Sequence, residues 1–327
     1  MVRDILICFG TRPEWLKVKP IAEKLDNVKL LFTGQHPDLL KDVEVDYRIN
    51  IGPSEDRLTQ IISDCSLQFP NEEFKYVMVH GDTVSALACA LVAYGRKQKV
   101  VHIEAGIRSY NLKAPFPEEG YRQMISRIAD IHLAPTSLAV SNLKQEFVKG
   151  DIHLVGNSVL DNIVDWKDKC EYGNKVLVTL HRWENHDLMD QWFTEVEKLA
   201  KTLPHLDFII PLHHHPNVQK HRDIFKKVHV VPAMNHNDLL MVLSKSSLVI
   251  TDSGGIQEEG SFLNKKVLVC REVTERPEGI DSGHLFLVKD PKDLGPLFHE
   301  LLKQVRIDNP CPFGDGTTAD KIKNILQ

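Results

Sequence analysis

SLVITDSGGIQEEG (247–260) decides how this chain folds. Leu248, Val249 and Ile250 form a continuous apolar run, not an alternating one. Strands covered on both faces of a parallel sheet read this way. Ser253, Gly254 and Gly255 then turn the chain, and IQEEG opens a helical pattern. Strand, glycine turn and helix make the first half of a βαβ unit.

Outward from this stretch the same succession repeats. The second half carries KVLVTLH (175–181), LDFIIPLH (206–213), VHVVPA (228–233), KVLVCRE (266–272) and HLFLVK (284–289). The first half carries ILICFG (5–10), VKLLFTG (28–34), YVMVHG (76–81), VVHIEAG (100–106), IHLAPT (131–136) and IHLVG (152–156). Segments between them, such as SALACALVAYGRKQ and LMDQWFTEVEKLAKTL, have helical periodicity. This alternation predicts an α/β protein of two Rossmann-like, doubly wound domains. The first is expected at 1–168 and the second, nucleotide-binding, at 169–312, with the change in the polar stretch DWKDKCEYGNK. A closing helix at 313–327 is expected to pack back on the first domain.

Length and composition agree. A chain of 327 residues is too long for one ordinary core. No apolar run approaches the roughly 18 residues that span a bilayer, and MVRDILICFG lacks a signal peptide's regions. The reading is a cytoplasmic protein without a membrane partner. A net charge of -5 argues against nucleic acid, so any phosphate must be held locally. The six cysteines form no CxxC pair, which indicates reduced thiols and neither a zinc nor a redox motif.

In open α/β sheets, ligands bind beyond the carboxyl ends of the strands. The notable polar residues gather there in both halves, which predicts a site in the cleft between the domains. In TDSGGIQEEG, the glycines and the helix start suit a phosphate, and Glu258 or Glu259 could grip a ribose diol. A tight turn with an acidic first helical turn is the equal alternative. In FGTRPEWLKVKP (9–20), Arg12 and Lys17 could both reach a pyrophosphate, or form a solvated basic helix start. Asp82, Glu104 and Glu118 could divide into acid and base, or serve as caps and surface ion pairs. His181, Arg182 and Glu184 follow one strand, and His213, His214 and His215 follow the next. Consecutive residues at a strand end point different ways, which argues against a metal.

The motifs together resemble the UDP-N-acetylglucosamine 2-epimerase family, non-hydrolysing type. FGTRPEWLKVKP, TGQH, VHGDTVSA, HIEAGIRS, PFPEEGYRQ, LVTLHRWEN, TDSGGIQEEG, REVTERPEG and FGDGTTADKI occur in family order along nearly the whole chain. The resemblance implies a glycosyltransferase-B-type fold and a homodimer. It implies interconversion of UDP-GlcNAc and UDP-ManNAc through elimination of UDP, with neither a nicotinamide cofactor nor a metal. It assigns acid and base roles to Asp82, Glu104 and Glu118, with Lys17 and His181 assisting departure of the diphosphate. It assigns nucleotide contacts to Arg12, Arg122, His213, Ser253, Gly254, Gly255 and Glu259. It also implies an allosteric site with Gln35, His36, Arg182 and His213. The chain departs from the family pattern at Trp15, Trp183 and Pro37, and its stretch between TGQH and VHGDT is short. A hydrolysing epimerase releasing ManNAc and UDP, and a glycosyltransferase of similar fold, are the alternative activities.

Overall fold

The computed structural model describes residues 4–36, 43–54, 56–113, 115–304 and 306–327, the side chain of Arg57 excepted. The chain divides into two compact units. One runs to Asn162 and takes in Gly314–Gln327; the other is Ile163–Phe313.

The first unit holds β1 (Ile5–Phe9), β2 (Val28–Phe32), β3 (Tyr47–Arg48), β4 (Tyr76–His80), β5 (Val100–Ile103), β6 (Ile131–Ala134) and β7 (Asp151–Leu154). They form one parallel sheet in the order β3-β2-β1-β4-β5-β6-β7. Its helices are α1 (Arg12–Lys24), α2 (Arg57–Gln68), α3 (Val84–Gly95), α4 (Glu118–Ile128) and α5 (Ser137–Gln145). Both faces of β1 are buried: Leu6 and Cys8 join one core with Ile61, Cys65 and Cys89, while Ile5, Ile7 and Phe9 join another with Val18 and Ile21. That two-sided burial is why the run ILICF shows no polar alternation. Tyr47–Arg48 was not foreseen as a strand. It is two residues long and gains its structure by pairing with Leu31 and Phe32.

The second unit holds β8 (Lys175–Thr179), β9 (Asp207–Pro211), β10 (His229–Val231), β11 (Ser246–Thr251), β12 (Lys266–Cys270) and β13 (Leu285–Val288). Its parallel sheet has the order β10-β9-β8-β11-β12-β13. Its helices are α6 (Met189–Thr202), α7 (Pro216–Gln219), α8 (His236–Ser244), α9 (Gly254–Phe262), α10 (Pro277–Asp281) and α11 (Pro291–Lys303). Both sheets place the third, second and first strands on one side and the fourth onward on the other, the doubly wound pattern.

The closing helix, α12 (Thr318–Leu326), packs on α1 in the first unit. Asp161 accepts from the backbone N–H of Thr318 (3.1 Å) and Ala319 (2.7 Å), satisfying two orphan donors of its first turn. Pro20 lies inside α1 and has no N–H for the carbonyl of Leu16; Asn162 donates its side-chain amide to that carbonyl instead, at 2.7 Å. Asp161 and Asn162 thus tie their stretch to the first unit. This is why the units change at 162/163, ahead of the 168/169 boundary expected from polarity. Among the described residues no helix is long and apolar enough to cross a membrane. Cys170 and Cys311 are half-buried, and the other four cysteines are buried.

Candidate active site

In the first unit the strand order reverses direction between β1 and β4, the point where open sheets bind ligands. The loops leaving these strands carry GTRPE and HGDT. Thr11 caps α1, accepting from the N–H of Glu14 at 3.4 Å. Glu14 is buried and accepts from the N–H of Gly10 (3.0 Å) and from Thr83 Oγ1 (2.7 Å). It therefore clamps one loop to the other. Burial raises its pKa, against the pull of these hydrogen bonds. Gly81 has φ +66, in the left-handed region. Its carbonyl lies 2.8 Å from His102 Nε2; a carbonyl only accepts, so Nε2 carries the proton. His102 is fully buried, and burial pushes its pKa down to about 3.

Glu104 follows β5 with φ +60. Its carboxylate accepts from Lys17 Nζ at 2.7 Å and lies 2.9 Å from His80 Nε2. Burial opposes its charge, but Lys17 and His80 outweigh that and hold the carboxyl well below the usual range. Asp82 takes both Nε and Nη2 of Arg122, the former at 2.7 Å. Burial opposes the Arg122 charge, and Asp82, Glu104 and Glu119 more than offset it. The structure thus brings Lys17, His80, Glu104, Asp82 and Arg122 into one charged group.

Adjacent glutamates on α4 have different duties. Glu119 is fully buried and holds the preceding loop, accepting from the N–H of Ser109 (2.9 Å) and Tyr110 (3.2 Å). Glu118 opens the helix half-buried, with no ion pair among the described residues. Arg12 is exposed at the first position of α1. Gln35 accepts from Ser85 Oγ at 2.7 Å, and the N–H of His36 donates to the Gly10 carbonyl at 2.9 Å. Pro37 lies outside the described residues. The Trp15 ring lies tilted against Phe9, centroids 4.9 Å apart, and packs on the core.

In the second unit the reversal falls between β8 and β11. Asp252, just past β11, is fully buried. Its Oδ2 accepts from the N–H of His181 (2.9 Å), the N–H of Arg182 (2.9 Å) and Asn185 Nδ2 (3.0 Å). Its Oδ1 lies 3.5 Å from His181 Nδ1. The His181 ring stacks on His213, centroids 5.1 Å apart. Burial pushes the pKa of both rings down, with Asp252 opposing it at His181. Among the described residues, no three His, Cys, Asp or Glu gather as metal ligands.

Ser253 precedes α9, and its side chain makes no cap bond there. A Cβ added at Gly255 would meet nothing within 4 Å. One added at Gly254 would come 2.8 Å from Arg276 Nη1, so the guanidinium lies against that glycine. The two glutamates of the motif part company. Glu258 accepts from Arg276 Nε at 2.8 Å, while Glu259 lies 2.7 Å from His236 Nε2. Glu275 sits between Arg276 and Arg271; burial would raise its pKa, but the two guanidiniums bring it down to about 2. Glu14, His80, His102, Asp252 and His236 were not singled out in the sequence. All but His236 lie inside the quoted motifs, and that position is the signal the sequence offers.

The family model described as UDP-N-acetylglucosamine 2-epimerase matches residues 21–327. This chain belongs to that family. The UDP-N-acetylglucosamine 2-epimerase of Campylobacter jejuni is 34% identical, covering 100% of this chain and 98% of the relative. A UDP-GlcNAc 2-epimerase from Neisseria meningitidis, solved bound to UDP-GlcNAc, superposes with a TM-score of 0.88. It is 31% identical, with 99% of each chain covered. The glycotransferase of kitacinnamycin matches at a TM-score of 0.62 and 11% identity, covering 100% of this chain and 95% of that one; this likeness is one of fold alone. The family's two Rossmann-like units of glycosyltransferase-B type are thus the architecture of this epimerase-family chain.

Proposed function

We propose that this epimerase-family protein interconverts UDP-GlcNAc and UDP-ManNAc without net hydrolysis. The observation that carries the reading is the buried Glu104 carboxylate, kept ionised by Lys17 at 2.7 Å and His80 at 2.9 Å, in one group with Asp82 and Arg122. Epimerisation at a carbon that bears both a hydrogen and an amide needs a proton removed from one face and returned to the other. A set of carboxylates in different surroundings supports that division. Asp82 and Glu104 are each matched by cations, whereas Glu118 is left for a ligand among the described residues.

The C2 proton passes to a carboxylate while the C1–O bond to UDP breaks, the diphosphate leaving with the bonding pair. The C2–H electrons become the C1=C2 double bond of a 2-acetamidoglucal. A proton then arrives on the opposite face of C2, and the UDP oxygen re-forms the bond to C1. Lys17 and His181 assist the departing diphosphate. Arg12, Ser253, Gly254, Gly255 and Glu259 hold the nucleotide, with His213 packed on His181. The open space over Gly255 and the free first-turn amides of α9 suit a phosphate. In this reading Arg122 serves Asp82 more directly than the nucleotide.

The test is incubation with UDP-GlcNAc in deuterated water, followed by proton NMR. Loss of the C2 proton together with UDP-ManNAc is expected. Free ManNAc with UDP identifies the hydrolysing activity instead, and transfer to an acceptor without C2 exchange identifies a glycosyltransferase.

A further inference from the structure

We propose that His236 is a positioning residue for nucleotide binding. It holds the Glu259 carboxylate so that one oxygen stays ready for a pair of ribose hydroxyls. The inference rests on the nucleotide-sugar reading above and adds a residue from a different helix.

Glu259 is 4% exposed, on the second turn of α9. Its Oε1 lies 2.7 Å from Nε2 of His236, the first residue of α8. Its Oε2 is buried and has no hydrogen-bond partner among the described residues. A buried carboxylate oxygen left unpaired is costly, and native structures rarely leave one without a purpose. A carboxylate only accepts, so the missing partner is a donor.

Helix geometry says where that donor would sit. Helical side chains lean toward the N-terminus, and residues four apart share a face. Glu259 therefore lies over the turn that holds Gly255, where a Cβ would meet nothing within 4 Å. That turn begins beside the open amides following Ser253. One helical pitch, about 5.4 Å, separates a phosphate on those amides from a donor on Glu259. A nucleoside diphosphate presents these two groups in this order, with its hydroxyl pair one sugar ring from its phosphates. Glu258 cannot substitute, because Arg276 engages it at 2.8 Å.

His236 contributes by anchoring Oε1. Without it, Glu259 would have to be ordered by the ligand itself, and both its buried oxygens would lack a donor before the ligand arrives. The loss should therefore appear only with ligands that carry the hydroxyls.

The experiment compares UDP with 2′,3′-dideoxy-UDP by calorimetry, on the wild type, His236→Ala and His236→Gln. For UDP, His236→Ala should raise Kd about tenfold, the lower range for a charged hydrogen bond. For dideoxy-UDP it should change Kd less than about twofold. His236→Gln, which keeps a side-chain N–H, should recover most of the UDP affinity. KM for UDP-GlcNAc should rise with Kd while kcat is kept. His236→Phe, which fills the ring volume without a donor, replaces the alanine variant if that fails to fold. Equal weakening of both ligands, or unchanged UDP affinity, overturns the role of His236. A wild type that binds no UDP removes the nucleotide reading itself, and this inference with it.

Discussion

Replacing Asp252 by Asn changes little in shape and much in chemistry. Oδ2 of Asp252 accepts three bonds, from the N–H of His181, the N–H of Arg182 and Asn185 Nδ2. An amide oxygen in its place keeps all three without the charge. Bonds to a charged group are worth about 1.5–3 kcal/mol and neutral ones about 0.5–1.5. Each bond then loses about 1 kcal/mol, and the three together about 3 kcal/mol. The new amide N–H₂ also faces the His181 N–H, now 3.2 Å from Oδ1. For a unit of this size about 3 kcal/mol lowers Tm by roughly 6–12 °C. Tryptophan fluorescence reads the change, because Trp166, Trp183 and Trp192 lie in the second unit and Trp192 is buried in its core. Turnover should fall as well, because Asp252 fixes the backbone that presents His181. A variant within about 1 kcal/mol of the wild type would show that the loop is held by something other than this carboxylate.

Glu104→Gln and Glu118→Gln should each lower turnover by about 10²–10⁴-fold while leaving UDP binding intact; near-normal C2 exchange in either would remove it from the acid–base set. His102 should make the first unit acid-sensitive. Its folded pKa of about 3 lies below the unfolded value of about 6.5, so its stabilising effect is complete above that value and fades as pH falls toward 3. At pH 5 the loss is about 2 kcal/mol, and wild type should lose that much more than His102→Gln between pH 7.5 and 5. Equal losses in urea titrations at the two pH values would contradict it. Gly10→Ala should cost about 1–3 kcal/mol or more, because a Cβ there would come 2.1 Å from Ser85 Oγ and 2.3 Å from Thr33 Oγ1; an unchanged melting temperature would show that the pair can move aside.

The fold was legible because the central strands are buried on both faces. Val176–Val178 and Leu248–Ile250 read as unbroken apolar runs for that reason. The strand Tyr47–Arg48 was not legible, since it depends on partners that lie earlier in the chain. The change of unit at 162/163 falls ahead of the polar stretch for a related reason. Polarity marks a surface stretch, but allegiance is set by bonds such as Asp161 to α12 and Asn162 to α1, which cross from 146 to 158 residues of sequence.

At the site, motif reading points to the loops that leave the strands and does not divide labour within them. Glu118 and Glu119 are neighbours, as are Glu258 and Glu259, and spacing treats each pair alike. Burial separates the first pair and the partners met separate the second, since a buried carboxylate must find donors or a cation. Glu119 finds backbone N–H groups, and Glu258 finds Arg276. Glu14 and Asp252 are likewise consumed by the loops they hold. These four serve the scaffold, so changing any of them should move stability and activity together. Glu118 keeps its carboxylate unengaged among the described residues, and Glu259 keeps Oε2. Changing either should move ligand binding or turnover with little effect on folding. The difference lies in which donors each carboxylate has already met, whether four residues away, as Gly10 is from Glu14, or about seventy, as His181 and Arg182 are from Asp252, and residue type and spacing within a motif do not record it.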